Sequence, residues 1–282
     1  MPHLGRLLAF ELLTEGKDEL ATELIPGMVD DPSLPLRYKS IKHLIEKSEG
    51  MDQQMAIGAL GFALDNARDV EQVQKIAELL SDKGVSIDLQ QQLGFLTQWN
   101  LVGNFDNKNQ KGFDVAYGPE KDLANIDLAI SYQDVAKSDD DEAESGKAGQ
   151  WIPYNSLDSA GLVDLNKVIG KVKGVSAYAH ATYDSDVDQA VDIRIGCINA
   201  HKIWVNGELV MSNEIYHNST SIDKFIARAN LKKGSNEVLI KVCQNEQTQS
   251  WAQRWQFQVR ICDETGRAIR PSNPAADPAA AN

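Results

Sequence analysis

The sequence predicts a two-part α+β chain: helical repeats over residues 1–98, an antiparallel β-sandwich over 99–266, and a Pro/Ala-rich tail over 267–282. Three observations carry this. Leu20, Leu24 and Met28 recur at four-residue steps, the spacing of one helix face. From Trp99 onward the apolar period drops to two, as in Val191, Ile193, Ile195 and Cys197 with Asp192, Arg194 and Gly196 between them. Between two apolar-rich runs lies Asn206-Gly207, the pair that supplies both positive φ angles of a type I′ hairpin turn.

The helices follow in order. Residues 4–13 read as one helix, and the Leu20–Met28 stripe as the next. Asp31-Pro32 reads as an N-cap followed by Pro at the first helical position, where the missing N–H costs nothing. The stripe Tyr38, Ile41, Leu44 and Ile45 then runs to Gly50. Met55–Gly61 offers a small-residue face suited to close helix contact. Asp69 caps a helix carrying Val70, Val73, Ala77 and Leu80, which Gly84 stops, and Ser86 caps a last one with Leu89, Leu93 and Leu96. Helix pairs of this length have the period of α-solenoids, with a plain helical bundle as the alternative. Residues 4–13 resemble the second helix of a pair, so further N-terminal repeats, or a partner covering that end, are expected.

In the second part, Trp255, Phe257, Val259 and Ile261 share a face, with Gln256, Gln258 and Arg260 opposite. Trp204 and Trp255 lie within strands and are expected in the core. Cys197, Cys243 and Cys262 leave an odd count. If 238–243 and 255–262 formed a hairpin, Cys243 and Cys262 would sit at opposite ends, so free thiols are expected. Asp139–Glu144 reads as a solvated acidic loop, and 271–282 as a disordered tail.

The chain has 282 residues and a net charge of −13. Residues 1–98 carry 9 Lys and Arg against 16 Asp and Glu, and the remainder 19 against 25, so the acidity is spread over both halves. That excludes nucleic acid as the main partner, because neutralising phosphates takes clustered cations. No apolar run is long enough to span a bilayer. The apolar stretch Leu7–Phe10 is followed by Glu11 and Glu15 with no small-residue cleavage site, so no signal peptide is read.

Trp99–Glu120, "WNLVGNFDNKNQKGFDVAYGPE", resembles a signature of large multidomain proteins of planctomycete-type bacteria, where it opens a jelly-roll module of the galactose-binding-like fold. "GLVDLNKV" (161–168), "AYAHATYDSD" (177–186), "KIWVNGELV" (202–210) and "WQFQVRICDETG" (255–266) fit the same module. Asn104 and Gly118 stand where Pro is expected, and the loop at 134–150 is longer than usual. The segment "LIPGMVDDPSLPLRYKSIKHLI" resembles a HEAT repeat, with Pro35 as a departure. The resemblance implies a β-sandwich that recognises carbohydrate, helices that dock a protein partner, and an exported protein.

Candidate ligand-binding residues on loops are Trp151, Tyr154, Tyr216, His217 and Trp251, since an aromatic face stacks on the C–H side of a pyranose. Asn245, Glu246 and Arg254 could hydrogen-bond beside Trp251. The competing reading makes Trp151 and Trp251 plugs at the ends of the core. Asp184, Asp186 and Asp188 alternate as hard oxygen donors, a candidate structural calcium site against a solvated turn. No other cofactor is implied. Five histidines (3, 43, 180, 201 and 217) lack metal spacing, with His180 and His201 read at strand ends, and no carboxylate pair or nucleophile–base motif marks an enzyme. The expected function is non-catalytic recognition. The alternatives are a structural spacer or scaffold and, third, a part of a glycan-processing enzyme.

Overall fold

The computed structural model describes residues 2–135, 149–219 and 221–270, with side chains from Gly5 onward. The acidic loop expected at 139–144 and the tail 271–282 lie outside these residues. The chain divides into two compact units, Met1–Leu93 with Glu264–Arg267, and Gly94–Asp263 with Ala268–Asn282.

The first unit is helical: α1 (Pro2–Thr14), α2 (Asp18–Leu24), α3 (Leu34–Ser48), α4 (Gln53–Asn66), α5 (Val70–Ser81) and α6 (Leu89–Leu93). Leu36, Ile41, Ala56, Leu60, Ala63, Val73, Ile76 and Leu80 are buried where α3, α4 and α5 pack together. The Leu20–Met28 stripe spans α2 and a 3₁₀ turn, Ile25–Met28. Two caps sit two residues later than expected. Helix α3 starts after Ser33, with Pro35 in its first turn, because Asp31 is engaged elsewhere. Its carboxylate pairs with Arg6 and accepts the Ser33 N–H at 2.8 Å. The early arginine, Arg37, is buried and donates to the carbonyls of Asp30 and Asp31. Before α6 it is Asp88, not Ser86, that accepts a helix N–H, from Gln91 at 3.1 Å. Asp52 and Asp69 cap α4 and α5. The small-residue face of α4 is not a close contact: Gly58 and Gly61 have open space where a Cβ would stand, and Ala56, Leu60 and Ala63 make the packed side.

The second unit has two antiparallel sheets. Its strands are β1 (Gln98–Asp106), β2 (Ile152–Asn155), β3 (Val163–Asp164), β4 (Val175–Ser185), β5 (Gln189–Cys197), β6 (Ala200–Val205), β7 (Glu208–Asn213), β8 (Phe225–Leu231), β9 (Gly234–Gln244) and β10 (Gln256–Cys262). One sheet has the order β2-β1-β4-β9-β6-β7, the other β3-β10-β5-β8. The pairings β6–β7, β5–β8 and β4–β9 nest inside one another and alternate between sheets, as in one long hairpin rolled up. The alternation read from sequence gives the inner faces: Val191, Ile193, Ile195, Cys197, Trp255, Phe257, Val259 and Ile261 are all in the inter-sheet core. Asn206 and Gly207 have φ of 50° and 82°, and Val205 pairs Glu208 across the two-residue turn.

Three expectations are corrected. Strands β9 and β10 lie in different sheets, so 238–262 is not a hairpin; the three cysteines are nonetheless buried and free. His180 lies in the middle of β4. Trp204 is buried on the outer face of the larger sheet rather than between the sheets. That face is covered by the segment between β1 and β2, whose Tyr117, Leu123, Ile126, Tyr132 and Val135 pack on Val102, Phe105, Tyr178, Trp204 and Leu239. The sandwich also extends past 266: Ile269 bonds to Ile261 through its N–H (3.0 Å) and to the Tyr183 hydroxyl through its carbonyl (2.6 Å).

Candidate functional site

One end of the sandwich gathers the loops that leave β1, β7 and β9 and those that enter β4 and β10. The Asn206-Gly207 hairpin closes the opposite end. At the loop end the residues after β9 form a polar run, 245–254, containing a 3₁₀ turn, Ser250–Ala252.

That turn puts Ala252 inside, fully buried, and Trp251 outside, 54% exposed. It is tied down at several points. Lys173 Nζ donates to the Ala252 carbonyl (2.7 Å) and Asn166 Nδ2 to that of Gln253 (3.0 Å), while Gln253 Nε2 reaches back to Thr248 (2.6 Å) and Gln249 (3.0 Å). Burial holds the Lys173 ammonium below the usual lysine range. Trp251 meets the His217 ring edge-to-face, with centroids 4.9 Å apart.

His217 sits at φ 58°, a left-handed conformation uncommon outside glycine. Its Nε2 is 3.0 Å from Asn245 Oδ1. The same oxygen accepts the Gln247 N–H (3.2 Å), and Asn245 Nδ2 donates to Gln247 Oε1 (2.9 Å), so Nε2 of His217 carries the proton. Glu246 accepts the Asn109 N–H (2.5 Å) from the loop after β1. Tyr216 packs on Phe113, Ala200 and Cys243, and its hydroxyl accepts from Asn107 Nδ2 (3.2 Å). Burial pushes the Tyr216 hydroxyl up.

Beneath these lies a layer of wholly buried amides. Asn107 Nδ2 also donates to the Gln244 carbonyl (3.1 Å), and Asn199 Nδ2 donates to Gln244 Oε1 (2.9 Å). Unmet buried amides are costly, so this bonded layer fixes the loop ends.

Of the residues read from sequence, the fold brings Tyr216, His217, Asn245, Glu246 and Trp251 together. Arg254 is exposed three residues on, its carbonyl accepting from Asn199 Nδ2 (3.4 Å). Trp151 and Tyr154 go elsewhere, because β2 pairs with β1 at the sheet edge. Trp151 joins the layer over the larger sheet, against Tyr132 and His180, and Tyr154 packs on the inter-sheet core. Asp184, Asp186 and Asp188 do not converge: among the described residues no three His, Cys, Asp or Glu side chains form a metal-holding group. Asp184 pairs with Ser235 in the ladder, and Asp188 accepts the Lys233 N–H (2.7 Å). Sequence reasoning missed Asn107, Asn199, Gln244 and Lys173. The one local signal was the polar run Asn107–Lys111 directly after a strand.

No protein-family model matches the sequence, and no curated protein matches it. Similar solved structures include an anti-sigma factor domain-containing protein, with 14% identity, 45% of this chain and 43% of that one covered, and a TM-score of 0.31. A family 35 carbohydrate binding module from Clostridium thermocellum has 13% identity, covers 31% of this chain and 71% of its own, and has a TM-score of 0.24. A glycosyl hydrolase family 2 member from Bacteroides cellulosilyticus has 13% identity, 59% of this chain, 20% of its own and 0.32. The chain thus spans under half of the first of these and a fifth of the last. At such scores the fold rests on the strand order and pairing above.

Proposed function

We propose that this chain is a non-catalytic recognition protein whose sandwich, a jelly roll of the galactose-binding-like type, binds carbohydrate at the loop end around Trp251. The helices, read as a short HEAT-like solenoid, serve to dock a protein. The observation that carries the proposal is the exposed Trp251 indole on a turn anchored through Lys173, Asn166 and Gln253. An end-plug would be buried. An aromatic platform held rigid before binding loses little entropy when a sugar stacks on it. The sheet faces support the same choice. The outer face of the larger sheet is covered. That of the smaller is tied up by Asp192, Arg194, Asp223, Arg228 and Arg260 bonded to one another. Glu246 is the one carboxylate among the residues bonded at the loop end, and glycoside cleavage ordinarily takes two.

A glycan array probed with the full chain and with Trp251→Ala tests this. Glycan signals present for the parent and lost in the variant are expected, with both proteins melting alike. An array on which the parent binds nothing would overturn the proposal.

A further inference from the structure

We infer that the sugar bound at Trp251 is anionic, bearing a carboxylate or sulfate that Arg254 meets; this rests on the carbohydrate reading above. The chain is strongly acidic, at −13, yet the loop end has the opposite sign. Three cations are placed there by contact or by the turn. Lys173 lies under the Trp251 turn. Lys108 brackets Gly174 together with Glu246, their side chains 3.5 and 3.0 Å from where its Cβ would stand. Arg254 follows Trp251 by three residues, about one 3₁₀ repeat, so both face one side of the turn. Against these stands Glu246 alone, already accepting the Asn109 N–H.

None of the three cations has a carboxylate partner among the described residues. Arg254 is exposed, and its guanidinium makes no hydrogen bond or ion pair there; the Lys173 ammonium has only a carbonyl, although it is partly buried. Elsewhere in this unit, arginines are matched to acids: Arg194 to Asp192 and Asp223, Arg228 to Asp192, and Arg260 to Asp223. A planar guanidinium beside an aromatic platform meets a carboxylate or sulfate with two parallel N–H bonds while the ring stacks. The remaining positive charge draws an anion to this end against the field of the whole chain.

Titration calorimetry on the full chain with three probes decides it: an oligogalacturonate, the same oligosaccharide with its carboxylates reduced to hydroxymethyl groups, and a sulfated oligosaccharide of equal length. An anionic probe is expected to bind roughly tenfold tighter than the reduced one, the size of one charge-assisted hydrogen bond. The advantage should shrink at high salt. Arg254→Gln, exposed and so folding normally by thermal melt, should reduce the ratio of the two affinities. Preference for the uronate or for the sulfate upholds the inference and names the anion. Equal or tighter binding of the reduced probe overturns it while leaving carbohydrate recognition standing, and an unchanged ratio in Arg254→Gln removes Arg254 from it. Binding of none of the three, with an empty glycan array, overturns both.

Discussion

Lys241 is a lysine with no exposed surface in the middle of β9. Its ammonium is held by Glu120 Oε1 (2.9 Å) and the carbonyls of Phe113 (3.2 Å) and Val115 (2.7 Å), and Glu120 also accepts from the Tyr178 hydroxyl. This pins the cover segment to the larger sheet and keeps that face from serving as a ligand platform. Removing one member of a buried pair strands the other charge, so Glu120→Gln should cost about 3 kcal/mol in urea unfolding. Glu120→Leu with Lys241→Met should recover most of that loss, and a double variant as unstable as the single one would refute the pairing. None of this was legible in sequence. In "EVLIKV" the lysine occupies an outward position that alternation assigns to solvent, and its partner is 121 residues away in a loop. Trp151 and Trp251 show the same limit: both stand in polar surroundings, and only the β1–β2 pairing takes Trp151 out of the site. The cysteines were legible, since apolar flanks and an odd count already imply buried thiols. Burial pushes Cys197 and Cys243 up to about 12 and Cys262 to about 11. They should therefore resist a thiol reagent at neutral pH in the native protein, and all three should react in denaturant.

Among elements, the β6–β7 hairpin was the most legible, because its geometry is fixed within four residues. Asn206 also contributes beyond the turn: its side chain donates to Asn236 Oδ1 (2.8 Å) and accepts the Glu237 N–H (3.0 Å), tying the hairpin to β9. Gly207 needs its φ of 82°. Gly207→Ala should destabilise by about 1 kcal/mol in a denaturant titration, the cost of a side chain in left-handed backbone. A variant of unchanged stability would mean that the turn relaxes freely. The displaced helix starts mark where local reading stops. Asp31-Pro32 has the form of an N-cap, but the pull of Arg6 and Ser33 on the Asp31 carboxylate is tertiary, so α3 begins after Ser33 instead. Similarly, the face alternation of β5 and β10 was readable, whereas their assignment to one sheet depended on pairings across some 60 residues.

For the molecule as a whole, each unit carries an aspartate whose ionised form the fold stabilises, and this sets its response to acid. In the helical unit, hydrogen bonds from Arg6 hold the Asp31 carboxyl below the usual carboxylate range. In the sandwich, burial alone would raise Asp223, but the guanidiniums of Arg260 and Arg194 outweigh it and bring it below that range. A carboxyl depressed on folding contributes stability that is fully present above its unfolded value, about pH 4, and is lost as pH falls through the folded one. Urea midpoints should therefore hold between pH 5 and 7 and decline below about pH 4. Asp223→Asn should be less stable than the parent at neutral pH, because it leaves Arg260 buried without its counter-charge, and should lose less on acidification. Equal acid slopes in parent and variant would show that Asp223 keeps an ordinary affinity for its proton. In that case the charged lattice on the smaller sheet would be held by packing rather than by charge. That would weaken its use as the reference against which the unmatched cations near Trp251 stand out.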